Sequence, residues 1–199
     1  MSDTVGDAGR RDAGSDIGGA EEAPDGDRTR RHAAAILTVS DRAARGERED
    51  ATGPRLRAAL ESLDLRVTVV PPVPDERHLI AARLRDLAAA HVLIVTTGGT
   101  GLSPRDVTPE ATRDVIEREA PGFSEEMRRR SAALFPRAIL SRGVCGTLGR
   151  CLIINLPGSP NGAVECIGFV APVIAHALRV LTGGLGDCTD DPVESSESA

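Results

Sequence analysis

Apolar residues return along this chain in blocks, and the spacing inside each block alternates between unbroken runs and a helical repeat. AAAILTVS, from Ala33, is the first unbroken run, and it predicts a buried strand that delivers Ser40-Asp41 at its carboxyl end. A polar loop follows, and then Leu56, Ala59, Leu60 and Leu63 fall on one face of a helix expected from about Pro54. LRVTVVPPV predicts a second strand. Pro74-Asp75-Glu76 then leads into a helix with Ile80, Leu84 and Leu87 as its inward stripe. The run Val92-Leu93-Ile94-Val95 predicts a strand covered on both faces. This alternation implies a three-layer α/β/α domain with a mostly parallel sheet.

The central strand spills into Thr96-Thr97-Gly98-Gly99-Thr100-Gly101, followed by Ser103-Pro104-Arg105-Asp106. A helix is expected at 109–119, with Thr108 as its N-cap and Pro109 at its first position. A second helix is expected from Pro121 to Leu134. Two short β segments joined by a glycine-containing turn are expected within 138–155, and a second glycine loop at 155–162. Val164, Ile167, Ala171, Ile174, Leu178 and Leu181 define a closing helix that Pro172 should kink or split.

Composition narrows the chemistry. All 24 basic residues are arginine, so mechanisms resting on a lysine Schiff base or a P-loop lysine are excluded. The glycine cluster is neither a Walker A loop nor G-x-G-x-x-G, since Pro104 stands where the third glycine would fall. Residues 1–31 carry 5 Arg against 8 acids and residues 187–199 carry 5 acids with no Arg, leaving 19 Arg against 17 acids in 32–186. The tails read as disordered and the mildly cationic body as the folded domain, suited to anionic small molecules. With no Tyr or Trp and only three Phe, a base-stacking platform is not expected, nor is nucleic-acid binding. No run approaches a membrane span, no apolar signal core is seen, and Cys145, Cys151, Cys166 and Cys188 lack C-x-x-C spacing. A cytoplasmic protein with free thiols is the expectation.

In a parallel sheet the ends bearing Ser40-Asp41, Pro74-Asp75 and the two glycine loops gather on one edge, where such sheets place ligands. Glycines let the backbone approach a phosphate, and free N–H groups there suit an anion. Asp41, Asp50, Asp75 and Asp106 near that edge suggest a magnesium site, since Mg²⁺ takes a few carboxylates together with phosphate oxygens and water. Phosphoryl or nucleotidyl transfer is the matching chemistry.

The strings LTVSDRAARG, VPDE, TTGGTGLSPRDVTPEAT, PGF, ILSRGVCG and LIINLPGSPNGA closely resemble the Mog/MoaB family of molybdenum-cofactor biosynthesis proteins, which includes the gephyrin G domain. The resemblance covers roughly residues 33–184. It implies a commonly trimeric α/β fold, with a hexamer left open, that binds molybdopterin and transfers AMP to it from ATP with Mg²⁺. The product then passes to a MoeA-type molybdenum insertase. By motif, Asp75 and Asp106 match the family's catalytic and metal-binding acids. Ser40, Asp41, Ser141 and Asn155 match positions associated with the pterin. Gly98, Gly99, Thr100, Gly101, Pro157 and Gly158 match the nucleotide and phosphate loops. Two alternatives stay open. One is a non-catalytic MoaB-type molybdopterin-binding protein, in which one or both acidic positions are changed. The other is nucleotide hydrolysis of the CinA type. This chain keeps both acids.

Overall fold

The computed structural model describes residues 32–183. The tails expected at 1–31 and 187–199, with Cys188, lie outside the described residues. Among the described residues the elements run β1 (Ala33–Val39), α1 (Asp41–Ala44), α2 (Gly53–Glu61), β2 (Arg66–Val73), α3 (Arg77–Ala88) and β3 (Leu93–Thr97). They continue with α4 (Thr108–Arg113), β4 (Arg118–Glu119), α5 (Pro121–Leu134), a 3-10 turn (Pro136–Leu140), β5 (Cys145–Leu148), β6 (Cys151–Leu156) and α6 (Pro160–Thr182).

The six strands form one sheet in the order β2-β1-β3-β6-β5-β4. β2, β1, β3 and β6 are mutually parallel, while β5 and β4 add on antiparallel. Because side chains alternate along a strand, each central strand feeds two cores. Ile36, Val95 and Ile154 face one side, where Leu56, Leu60, Ile167, Ile174 and Leu178 of α2 and α6 cover them, with Met127 of α5. Leu37, Ile94 and Ile153 face the other side, under Ile80, Leu84 and Leu87 of α3 and Ala111 of α4. This is the three-layer arrangement that the hydrophobic spacing predicts.

Four expectations are corrected. The helix expected at 109–119 ends at Arg113, because the chain turns to pair Arg118 and Glu119 with Thr147 and Gly146 of β5. Thr108 does not cap it: Val107 holds that position, and the Thr108 hydroxyl donates to the Gly98 carbonyl at 2.9 Å. Pro172 does not split α6, which runs unbroken from Pro160 to Thr182. Both Pro172 and Gly168, whose carbonyl loses its i+4 donor, lie on the exposed face, where water can meet that carbonyl. Finally, α6 is long and apolar enough to pass the length and composition test for a membrane span. Its Ala163, Cys166, Ile167, Val170, Ile174 and Leu178 are nonetheless buried against the sheet, as in a core helix.

Candidate active site

The strand order places β1 between β2 and β3, so the β1–β2 and β2–β3 connections run in opposite directions across the sheet and open a crevice at the carboxyl ends of β1 and β3. Gly98 and Gly99 line that crevice with φ of +102° and +62°, in the left-handed region that favours glycine. A side chain at Gly98 would overlap the Val39 carbonyl oxygen of the neighbouring strand, and one at Gly158 would sit 3.2 Å from the Gly98 Cα. The two glycine loops therefore touch backbone to backbone. Thr97 fastens them by donating its hydroxyl to the Pro157 carbonyl at 2.9 Å. The Gly98 N–H is not free for an anion; it donates to the Leu156 carbonyl at 3.3 Å. Gly98 serves by its lack of bulk.

Two loops from β1 and β2 clasp each other through their aspartates. The Asp41 N–H donates to Asp75 Oδ2 at 2.8 Å, and the Asp75 N–H donates to Asp41 Oδ1 at 3.1 Å. Arg105, reaching across from the central loop, places its Nη2 2.7 and 2.9 Å from the two Asp41 oxygens. That guanidinium holds the Asp41 carboxyl below the ordinary aspartate range, against its desolvation. Asp75 goes the other way. Burial raises its pKa, and the Asp41 and Asp106 carboxylates push in the same direction, opposed by the Asp41 amide and Arg105. Two neighbouring acids thus have different tasks: Asp41 is already neutralised, and Asp75 is short of positive charge.

Ser40, Asp75, Gly98, Gly99, Asp106 and Gly158 line one cavity of about 440 Å³. Ser141, Asn155 and Pro157 line another of about 460 Å³, together with Met127, Arg128 and Phe135; Ser159 borders both. The expected pterin residues are therefore divided: Ser40 sits with the carboxylates, and Asp41 is turned toward Arg105. The Asn155 side chain is occupied internally. It accepts from the Val144 N–H at 3.1 Å and donates to the Thr96 and Thr112 hydroxyls at 3.0 and 2.9 Å. Thr100 and Gly101 line neither cavity; their carbonyls accept from Arg142. Asp50 lines the first cavity with Asp75 and Asp106, as expected, but its oxygens are engaged at the start of α2, accepting from the Thr52 and Gly53 N–H groups at 3.0 Å and from the Thr38 hydroxyl at 2.7 Å. Sequence reasoning passed over Arg128, Arg142 and Ser159, since nothing in spacing or type separates these from surface residues of the same kinds.

Among the described residues no group of three or more His, Cys, Asp or Glu side chains is placed to hold a metal ion. Asp75 and Asp106 share the first cavity with Glu49 and with Asp50, whose oxygens are already engaged, and carboxylates without soft ligands suit a hard cation that takes its remaining oxygens from phosphate and water. The donor set fits magnesium on those terms.

Residues 35–176 match the family described as "Probable molybdopterin binding domain". The molybdopterin adenylyltransferase of Haemophilus influenzae is 42% identical over 182 residues, covering 80% of this chain and 89% of that protein. The crystal structure of the molybdopterin biosynthesis enzyme MoaB of Thermus thermophilus superposes with a TM-score of 0.73 at 49% identity, over 76% of this chain and 97% of that one. The molybdenum cofactor synthesis protein cinnamon of Drosophila melanogaster is 40% identical over 149 residues, covering 73% of this chain and 25% of that protein. With the match running from within β1 through both glycine loops and into α6, the chain belongs to the family of probable molybdopterin-binding domains.

Proposed function

We propose that this chain is a molybdopterin adenylyltransferase, moving AMP from ATP onto the terminal phosphate of molybdopterin. A phosphate oxygen of the pterin attacks the α-phosphorus of ATP, the bond to the β-phosphate bridge breaks, and pyrophosphate leaves. The observation that carries this reading is that Asp75 and Asp106 line one cavity with Gly98, Gly99 and Gly158. The glycine turns bring backbone close enough to cradle a triphosphate, and the second cavity, bordering the first at Ser159, offers Ser141, Arg128 and apolar walls to a pterin. When bound, Mg²⁺ would be held by Asp75 and Asp106 and would neutralise charge on the transferring phosphates. The name of the Haemophilus relative supports the same assignment.

The same reading makes the protein cytoplasmic and a homotrimer or hexamer, handing its product to a MoeA-type molybdenum insertase. Exposed Leu134 and Phe135 at the end of α5 and Ile139 on the 3-10 turn offer apolar surface for such association.

The test is incubation of the purified chain with α-labelled ATP, Mg²⁺ and fresh molybdopterin. An AMP-bearing pterin with stoichiometric pyrophosphate is the expected result. Molybdopterin binding with no label transferred would make the protein a carrier of the MoaB type. Label release as free AMP without pterin would make it a nucleotide hydrolase.

A further inference from the structure

Arg142 lies on the turn between the 3-10 segment and β5, between two residues that line the second cavity, Ser141 and Gly143. Its side chain points away from that cavity, toward the central loop. The Arg142 N–H donates to the Thr100 carbonyl at 2.9 Å, Nε to the Gly101 carbonyl at 2.7 Å, and Nη2 to the Asp106 carbonyl at 2.5 Å. Nη1 pairs with the Glu110 carboxylate of α4. One residue thus binds both ends of the loop that presents Asp106.

That loop has little else to fix it. Leu102 through Arg105 are exposed, and the bonds between Ser103 and Asp106, N–H to carbonyl and N–H to carboxylate at 2.9 Å each, are internal to the loop. At its tip Arg105 grips Asp41 through Nε and Nη2 and reaches Glu76 through Nη1, but its side chain is more than half exposed, so solvent screens this anchor more than it screens Arg142. Arg142 is two-thirds covered, and its bonds are charge-assisted. The turn that carries it is itself braced, because Arg128 Nη1 donates to the Gly143 and Ser141 carbonyls at 3.0 and 3.4 Å. The two carbonyls and the carboxylate are each met by a different nitrogen of the planar guanidinium, a spread that the single nitrogen of a lysine ammonium matches only in part.

We infer that Arg142 is a positioning residue that sets where the Asp106 carboxylate stands by holding the 100–106 loop onto the turn beside the second cavity. The inference rests on the proposed role of Asp106 as a metal-binding carboxylate. It adds a requirement: the wall of one cavity and the acid of the other are joined through one guanidinium.

The test compares Arg142→Ala, Arg142→Lys and Asp106→Asn in the full chain, in steady-state turnover with molybdopterin, ATP and Mg²⁺ and in amide hydrogen exchange. Misplacing a reacting group by about 1 Å costs on the order of 100-fold. Arg142→Ala is therefore expected to lower kcat by about 30- to 100-fold and raise half-saturating Mg²⁺ about tenfold, with KM for molybdopterin within about twofold. Exchange at 101–106 should quicken while β3 stays protected, and Arg142→Lys should fall between. If Arg142→Ala does not fold because it strands Glu110, the double variant Arg142→Ala/Glu110→Gln removes that carboxylate and carries the same expectations. Wild-type kcat and Mg²⁺ dependence in Arg142→Ala, with Asp106→Asn inactive, would overturn the inference. So would a uniform loss in which molybdopterin KM and melting temperature move together with kcat. Wild-type turnover in Asp106→Asn overturns the underlying role of Asp106, and the inference with it.

Discussion

Asp75→Asn is expected to lower turnover by about 10²–10³-fold, the range seen when one group stabilising transition-state charge is removed, without lowering the melting temperature. The asparagine oxygen can still accept the Asp41 N–H, so the clasp between the β1 and β2 loops survives. What disappears is a carboxylate whose charge is opposed by burial and by Asp41 and Asp106. Its folded pKa lies above the unfolded value, so the native state binds the proton more tightly, and ionisation of Asp75 works against folding as pH rises through that window. At neutral pH without divalent ions the variant should therefore melt at or above the wild-type temperature. In the wild type at sub-saturating Mg²⁺, turnover should be present above the raised pKa of the metal-free site and be lost as pH falls through it, at a higher pH than for an ordinary aspartate. The ion must displace that proton, so saturating Mg²⁺ should move the loss to lower pH. A pH–rate profile and a thermal melt check both parts. Unaltered turnover, or a large drop in melting temperature, would contradict the division of roles between Asp41 and Asp75.

Gly98→Ala is expected to cost about 2–5 kcal/mol, combining a left-handed backbone of roughly 1–2 kcal/mol with overpacking of about 1–3 kcal/mol. The methyl would meet the Val39 carbonyl, a backbone atom of β1 that cannot move without shifting the central pair of the sheet. At this chain length that corresponds to a fall of about 4–20 °C in melting temperature. Gly149→Ala is the internal comparison. Gly149 also has positive φ, +55°, but nothing lies within 4 Å of an added Cβ. It should lose only about 1 kcal/mol. Equal losses in the two variants would mean that the close approach of the loop to β1 is not what requires glycine.

The layers were legible in the sequence because apolar runs and helical stripes were sharply punctuated by Gly and Pro. Ile80, Leu84 and Leu87 fell inward as spaced, and α5 runs from Pro121 to Leu134 as expected. The end of α4 was not legible. Val115 and Ile116 continue a helical pattern, and only the partnership of Arg118 and Glu119 with β5, a long-range pairing, turns the chain aside. Thr108 misled for a similar reason, since its hydroxyl is taken by Gly98, ten positions earlier. The converging strand ends followed from parallel order alone. Their division into two cavities did not, because it depends on where α5 and the 3-10 turn close over Ser141. Asn155 shows how far residue type reaches: its buried amide is engaged by Val144, Thr96 and Thr112, a bracket that its position after LII does not reveal.

The central claim is that nucleotide phosphates and a divalent ion meet where β1, β2, β3 and β6 end. Amide spectra of the ¹⁵N-labelled chain, recorded with ATP as Mn²⁺ replaces Mg²⁺, test it most directly. Paramagnetic broadening should concentrate at Gly99, Gly158, Asp75 and Asp106 and be abolished by Asp75→Asn. Broadening centred elsewhere, or unaffected by that substitution, would contradict it.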